Sequence, residues 1–558
     1  MIKVKNRIKR LCATLGILFL CIFPQNMLAN TNLLYHDVAS TVIMNSLESR
    51  PKESFLRKLY TRLFFVPVWM NESKPSAAAT ALFNHIKNDN TLNKNGKLYL
   101  DTLRLEGKIE DVYANYGKLV DKVDLEFKVS QLYKAYTNYA YLGSINWGAF
   151  QARISNLIVN DVSTEWVLHR PKVDAIAMLE NAALGGDLGE ALELATPTKY
   201  HYRALQKKVA AYREIKANGG WERVDLISTL KPGQKVDGVV SLRERLRVTG
   251  DHDSCDESVD ERVYDTCLEQ AVRHFQKRNG LSVDGEVGPA TLAALNKTVD
   301  ERIETMLLNL DRIKWLRKPD SKRHIIINIP DFMLYFEEDG NLIQTIRTVV
   351  GTPKNPTPIF SNQVKTIVLN PQWNVPKSII QNEMIPKLLR NSNAMRKERI
   401  EIFNGWGGDA KKIDPGTVNW SKYRYSKHVP FRFAQTSGTH NALGKVKFLF
   451  PNKFSVYMHD TPSKHLFSRD KRAFSHGCIR LQKPRELLET FSTFNDNVDF
   501  EKSQDILEGN KKAYLALNNR VPVDIIYLTA WVDYEGGLQF RNDIYEYDKM
   551  KLKSFRKW

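Results

Sequence analysis

The period of the apolar residues changes at His324, and that change restricts the fold more than any other feature of the chain. From about Asn32 to Arg223 the pattern is helical: Leu125, Val129, Leu132, Ala135 and Tyr136 recur near the 3.6-residue period of one helix face. Beyond His324 come short β-branched and aromatic runs, "HIIINIP", "FMLYF", "IRTVV", "VKTIVL", "VKFLF", "SVYMH" and "VDIIYLTAWV", with Asp339-Gly340 and Gly536-Gly537 placed as turns. One core cannot serve both textures, and 558 residues is too long for a single core in any case. The expected class is multidomain α+β. A helical scaffold fills 30–234, a small three-helix module 235–297, a helix returning to the scaffold 298–320, a mostly β domain 321–548, and a basic tail 549–558. Within the β domain, 377–440 carry helix formers, "NGWGGD" and an aromatic-rich stretch with Trp420, Tyr423 and Tyr425. An insertion of that length is either decoration or a lid over a site, and the lid is the reading preferred.

The N-terminal residues narrow the compartment. Lys3, Lys5, Arg7, Lys9 and Arg10 precede an apolar run from Leu11 to Phe23, then Pro24 and the small Ala29. This is the layout of a secretory signal, and the run is short for a membrane span. Residues 1–29 are read as a signal peptide, or as an anchor if Met27 blocks cleavage, so the expected location is periplasmic, with membrane contact only if the leader stays. The balance of 82 Lys+Arg against 63 Asp+Glu, a net +19, attracts polyanions. Export removes nucleic acid from that list and leaves an acidic cell wall. Two of the five cysteines, Cys12 and Cys21, fall in the leader. In an oxidising compartment the close pair Cys255 and Cys267 suggests a local disulfide, which leaves Cys478 as a free thiol.

Three capping boxes are expected in and after the small module: Ser241 with Glu244, Thr266 with Glu269, and Thr298 with Glu301. Behind Thr266, Leu268, Ala271, Val272 and Phe275 form one apolar face. The stretch "FQKRNGLSVDGEVGPATLAAL" resembles the three-helix peptidoglycan-binding domain, against the plainer reading of a packing domain that binds nothing. Ile303, Leu307, Leu310 and Ile313 make one further helix face, while Trp69, Trp147 and Trp166 are read as core packing.

Chemistry concentrates in "SVYMHDTPSKHLFSRDKRAFSHGCIRL", from Ser455 to Leu481. A thiol attacks as thiolate, and an ordinary cysteine with pKa about 8.5 is mostly protonated at neutral pH. It therefore needs an imidazole in reach, itself held in one tautomer. His459 ends a predicted strand, and Ser475-His476-Gly477-Cys478 lies on a later turn, where Gly477 allows close backbone approach. His476 is the rival base, although neighbouring side chains on an extended turn diverge. His465 is read as a surface residue. A zinc site from His459, His465, His476 and Cys478 fits no paired knuckle spacing, so no metal is expected. A papain-like peptidase places its cysteine before its histidine, the reverse of the order here.

His459 followed by "SHGCIRL" resembles the signature of the YkuD-type L,D-transpeptidase domain. "NPQWNVP", "NALGKVKFLFPN" and "YLTAWVDYEGGLQFRNDIY" resemble its accompanying blocks, and the domain order resembles large YcbB-like members. The resemblance implies a cysteine-dependent acyltransferase without cofactor. Cys478 takes an acyl group from a tetrapeptide stem, releases D-alanine, and passes the acyl group to a neighbouring stem as a 3→3 cross-link. It implies His459 as base with the Asp460 carbonyl orienting it, and the Gly477 and Cys478 amides as oxyanion hole. Ser475, His476 and Arg480 would surround the nucleophile, with Tyr457 and Trp373 lining the pocket. It implies carbapenem adducts on Cys478, and peptidoglycan stems, glycan and other wall-synthesis proteins as partners. The competing reading is a wall-binding scaffold whose β domain serves only for docking.

Overall fold

The computed structural model describes residues 33–155, 166–168, 172–183, 186–252, 260–316 and 321–552. The expected leader, Cys255 and the last residues of the basic tail lie outside them. Among the described residues no helix is long and apolar enough to cross a membrane.

The scaffold packs around helix Leu119–Leu142, whose Leu125, Val129, Leu132 and Tyr136 are buried, as the 3.6-residue period requires. Trp69 lies in that core, but Trp166 does not. With helix Trp147–Ser155 it joins Trp315 in the core of the β domain, where the Trp147 and Trp315 rings meet edge to face at 4.5 Å. Helix Tyr202–Ala217 likewise leaves the scaffold core to pack on Val299–Lys314 and on the late hairpin around Trp531. The chain segment expected as one helical unit is therefore divided among the scaffold core, the β-domain core and a third core around Trp531.

The three helices of the module, Gly238–Val248, Thr266–Arg278 and Pro289–Leu295, enclose a core of their own. The Thr298–Glu301 capping box forms as expected. The other two do not. Ser241 lies inside its helix, its hydroxyl donating to the Gly238 carbonyl (3.0 Å). Asp265, one residue before Thr266, takes the cap and accepts from the Leu268 amide (2.8 Å). A carboxylate opposes the positive helix end more strongly than a hydroxyl does. Gln276 ties the module's loop: its amide donates to Asp284 (2.7 Å) and its carbonyl accepts from the Gly285 N–H (2.9 Å). Cys267 is disulfide-bonded.

The module is keyed to the β domain by Arg541. Its guanidinium donates to the Asp331 carboxylate (2.7 Å) and to the Arg278 carbonyl (3.0 Å), which ends a module helix. Gly280 lets it in, since a Cβ there would come within 2.4 Å of Arg541 Cδ.

The β domain contains β1 (Arg323–Asn328), β2 (Met333–Glu338), β3 (Asn341–Gly351), β4 (Phe360–Leu369), β5 (Trp373–Asn374), β6 (Ile400–Phe403), β7 (Arg432–Gln435), β8 (Val446–Leu449), β9 (Met458–His459), β10 (Ala473–Ser475), β11 (Ile479–Leu481), β12 (Ala513–Ile526), β13 (Ala530–Val532) and β14 (Leu538–Phe540). Nine strands run in the order β10-β3-β11-β9-β8-β4-β12-β1-β2, and β2 also pairs with β3, which closes the sheet into a barrel. Closure leaves few strand edges unpaired. Asp339 and Gly340 turn β2 into β3, both at positive φ (51° and 80°), the geometry a two-residue hairpin demands. The insertion forms a separate small sheet, β5-β7-β6, over its own core with Trp420 and Phe433.

Candidate active site

Side-chain alternation on three neighbouring strands builds the site. Val446 and Phe448 of β8, Met458 of β9, and Ile479 and Leu481 of β11 point into the barrel core. The residues between them, Lys447, His459 and Arg480, therefore share the outer face. They stand in register: Lys447 opposes His459, and His459 opposes Arg480. Two residues before Arg480 and His459, Cys478 and Tyr457 continue the same face.

The nucleophile turn is held from several sides. Gly477 has φ +109°, a conformation that favours glycine. Ser475 Oγ donates to the Cys478 carbonyl (2.6 Å) and accepts from the Gly477 N–H (3.1 Å). The Gly477 carbonyl accepts from Thr357 Oγ1 (2.9 Å). Thr357 is fixed in turn by Tyr545, whose hydroxyl accepts from the Thr357 N–H (3.1 Å) and donates to the Gly351 carbonyl (2.7 Å). The Gly477 amide, expected at the oxyanion hole, donates here to Ser475 Oγ. The Cys478 amide makes no hydrogen bond among the described residues.

His459 is 4% exposed, and its Nδ1 hydrogen-bonds the Asp460 backbone carbonyl. Because a carbonyl only accepts, Nδ1 carries the proton and Nε2 keeps its lone pair. Burial first, then the Arg480 charge and more weakly Lys447, push the ring's pKa down to about 3 against the pull of the Asp460 and Leu443 carbonyls. The imidazole is neutral across the physiological range. The Asp460 carboxylate fixes the strand end, accepting from the Lys445 N–H (2.9 Å) and the Thr461 N–H (2.7 Å). Gly444, at φ +59°, makes room for it.

Cys478 is a free thiol, and its residue retains some exposed surface. Its surroundings are nonetheless dense enough that burial pushes the thiol up, while Tyr457, Lys447 and Arg480 pull it down. The sulfur's contacts run to the Ser455 carbonyl (3.9 Å) and to Tyr457. No hydrogen bond joins it to His459 among the described residues, although the two share one face of the sheet.

The rival base turns elsewhere. His476 Nε2 meets Glu383 Oε1 of the insertion at 2.6 Å, which brings the insertion onto the nucleophile turn and holds the Glu383 carboxyl below its ordinary range. Trp373 packs against the insertion's core. His465 is exposed on the short 3-10 helix Lys464–Ser468. Lys447, Thr357, Tyr545 and Glu383 were not singled out from the sequence. Lys447 carries the one readable signal, a lone charge at the outward position of "VKFLF".

Three family models match this chain: an L,D-transpeptidase catalytic domain over 322–500, a scaffold domain over 54–209, and a putative peptidoglycan binding domain over 235–295. A putative L,D-transpeptidase of Haemophilus influenzae is 30% identical over 246 residues, 44% of this chain and 48% of that protein. The chain thus aligns with about half the length of that curated relative. Among solved structures, an L,D-transpeptidase from Mycobacterium smegmatis is 11% identical over 37% of this chain and 58% of its own, with a TM-score of 0.18. One from Stackebrandtia nassauensis is 13% identical over 55% and 96%, with a TM-score of 0.21. Likeness at these scores adds no weight. The sequence matches do: residues 322–500 are a YkuD-type L,D-transpeptidase catalytic domain, carried behind a scaffold domain and a peptidoglycan-binding domain.

Proposed function

We propose that the chain is an L,D-transpeptidase that forms 3→3 cross-links in peptidoglycan outside the cytoplasm, exported by the basic and apolar leader. Cys478 turns from Tyr457 toward His459 and gives its proton to Nε2 as Sγ attacks the carbonyl of the third stem residue. The C–N bond to the terminal D-alanine breaks, the leaving amine takes the proton from His459, and a thioester remains. The side-chain amine of a neighbouring stem attacks that thioester, its proton passes through His459, and the thiol is restored. The Cys478 amide donates to the oxyanion of each tetrahedral intermediate.

The observation that supports this most is the buried His459 ring, its Nδ1 held by the Asp460 carbonyl, on one face with a free thiol in a YkuD-type domain. Acyl energy is conserved in the thioester, so no nucleotide is needed. The module at 235–295 supports peptidoglycan as the surface on which the enzyme works, with other wall-synthesis proteins as further partners.

The test is purified full chain with disaccharide-tetrapeptide, followed by mass spectrometry. The expected products are D-alanine and 3→3 dimers, absent with Cys478→Ala, together with a carbapenem adduct on intact Cys478. Dimers from Cys478→Ala, or none from a wild-type protein whose thiol reacts with iodoacetamide, overturn the reading. Binding to isolated wall without turnover would favour the docking scaffold instead.

A further inference from the structure

Two cations beside the thiol lack a hydrogen-bonded or anionic partner among the described residues. The Arg480 Nε is buried and meets no acceptor, and neither its guanidinium nor the Lys447 ammonium has a hydrogen bond or ion pair among the described residues. Lys447 Nζ lies 3.6 Å over the Tyr457 ring, and burial pushes its pKa down. Other buried cations among the described residues do have acceptors: Arg278 pairs with Asp251, Arg312 with Asp548 and Arg541 with Asp331, while Arg302 donates to Asn279 (2.8 Å) and Arg245 to the Leu295 carbonyl (2.8 Å). Partly buried charge without a counter-charge is unfavourable, and here two such charges lie on one face, on strands either side of β9. Strands two apart in a sheet are separated by about 10 Å, so the two long side chains can close on one small anion between them.

We propose that Lys447 and Arg480 form a carboxylate-binding cradle that takes a free carboxylate of the donor stem peptide and so positions the scissile carbonyl at Cys478. This rests on the transpeptidase reading and adds the basis on which the donor is chosen. A tetrapeptide stem carries a C-terminal carboxylate one residue beyond the bond that breaks. Where the third residue is a diamino diacid, a second carboxylate lies on its side chain. Both present the same chemistry to the cradle. The Tyr457 ring holds Lys447 in place, and Lys447 acts on bound substrate without taking or giving a proton.

The experiment compares three donors on the full chain: the free tetrapeptide, its C-terminal carboxamide, and the form amidated at the side-chain carboxylate. The readouts are kcat and KM for acylation of Cys478. The expected result is that one amidation lowers kcat/KM about tenfold or more, mainly through KM, as loss of a charge-assisted contact does. In Lys447→Met that discrimination collapses toward parity, and in Lys447→Arg it returns, which excludes misfolding as the cause. Which amidation carries the penalty identifies the carboxylate. Equal rates for all three donors in the wild type, or an undiminished ratio in Lys447→Met, overturn the cradle while leaving the transpeptidase standing. Failure of every donor to acylate a wild-type thiol that iodoacetamide still labels overturns both.

Discussion

Lowering the pH tests the buried imidazole directly. The folded protein holds His459 neutral down to about 3, while in the unfolded chain the ring takes its ordinary value of 6.5. Between those values unfolding takes up a proton, so stability is full above 6.5 and falls as the pH falls through that window. At pH 5 the loss from this one ring is about 2 kcal/mol relative to pH 7.5, growing to about 4 kcal/mol near pH 3. The assay is urea unfolding of wild type and His459→Gln at a series of pH values, followed by tryptophan fluorescence in the transition of the barrel. Subtracting the variant removes every other titrating group, and the difference should move by about 2 kcal/mol between pH 7.5 and 5. The same ring sets the kinetics. A base that stays neutral gives acylation an acid limb below pH 5 rather than near 6.5. Parallel stability profiles for the two proteins, or an acid limb at 6.5, would refute the account of a desolvated ring between Arg480 and Lys447.

Three further outcomes are expected. Tyr545→Phe removes the hydroxyl that bonds Thr357 and Gly351 behind the nucleophile turn; it should cost about 1–3 kcal/mol in urea unfolding and lower the acylation kcat more than it raises KM. Gly444→Ala forces positive φ on an alanine and places its Cβ 2.3 Å from Asp460 Cγ; unfolding measurements should show a loss of about 2–4 kcal/mol, larger than Gly408→Ala, which meets nothing. Glu383→Gln breaks a pair whose partners are 45% and 43% exposed; it should change stability by less than about 1 kcal/mol, yet speed amide exchange across 380–390, where the insertion meets the turn.

The sequence makes the barrel legible because alternation and turn residues are local properties: the Asp339-Gly340 hairpin and the strand carrying His459 follow from them directly. Cys478 and His459 stand out because a thiol needs a ring and few candidates exist. Lys447 does not, because its meaning depends on β8 lying beside β9 and β9 beside β11, a pairing that no local spacing encodes. Tyr545 and Thr357 hide for the same reason, since the hydroxyl that fixes the turn comes from 67 positions beyond the thiol in the chain. Asp265 displaced Thr266 as a cap through a competition between two adequate acceptors. Trp166 reads correctly as a packing residue, yet it packs in the barrel rather than the scaffold, because chain order does not fix which core a helix joins.

Arg541 ties the small three-helix module to the barrel. With its side chain packed against Gly280 and anchored on Asp331, it braces the module against the barrel like a gauge block rather than leaving it on its linker alone. A sugar strand gripped by that block would then offer its peptides to the thiol at one set spacing, so which stems are reached becomes a matter of measured offset rather than of chance encounter.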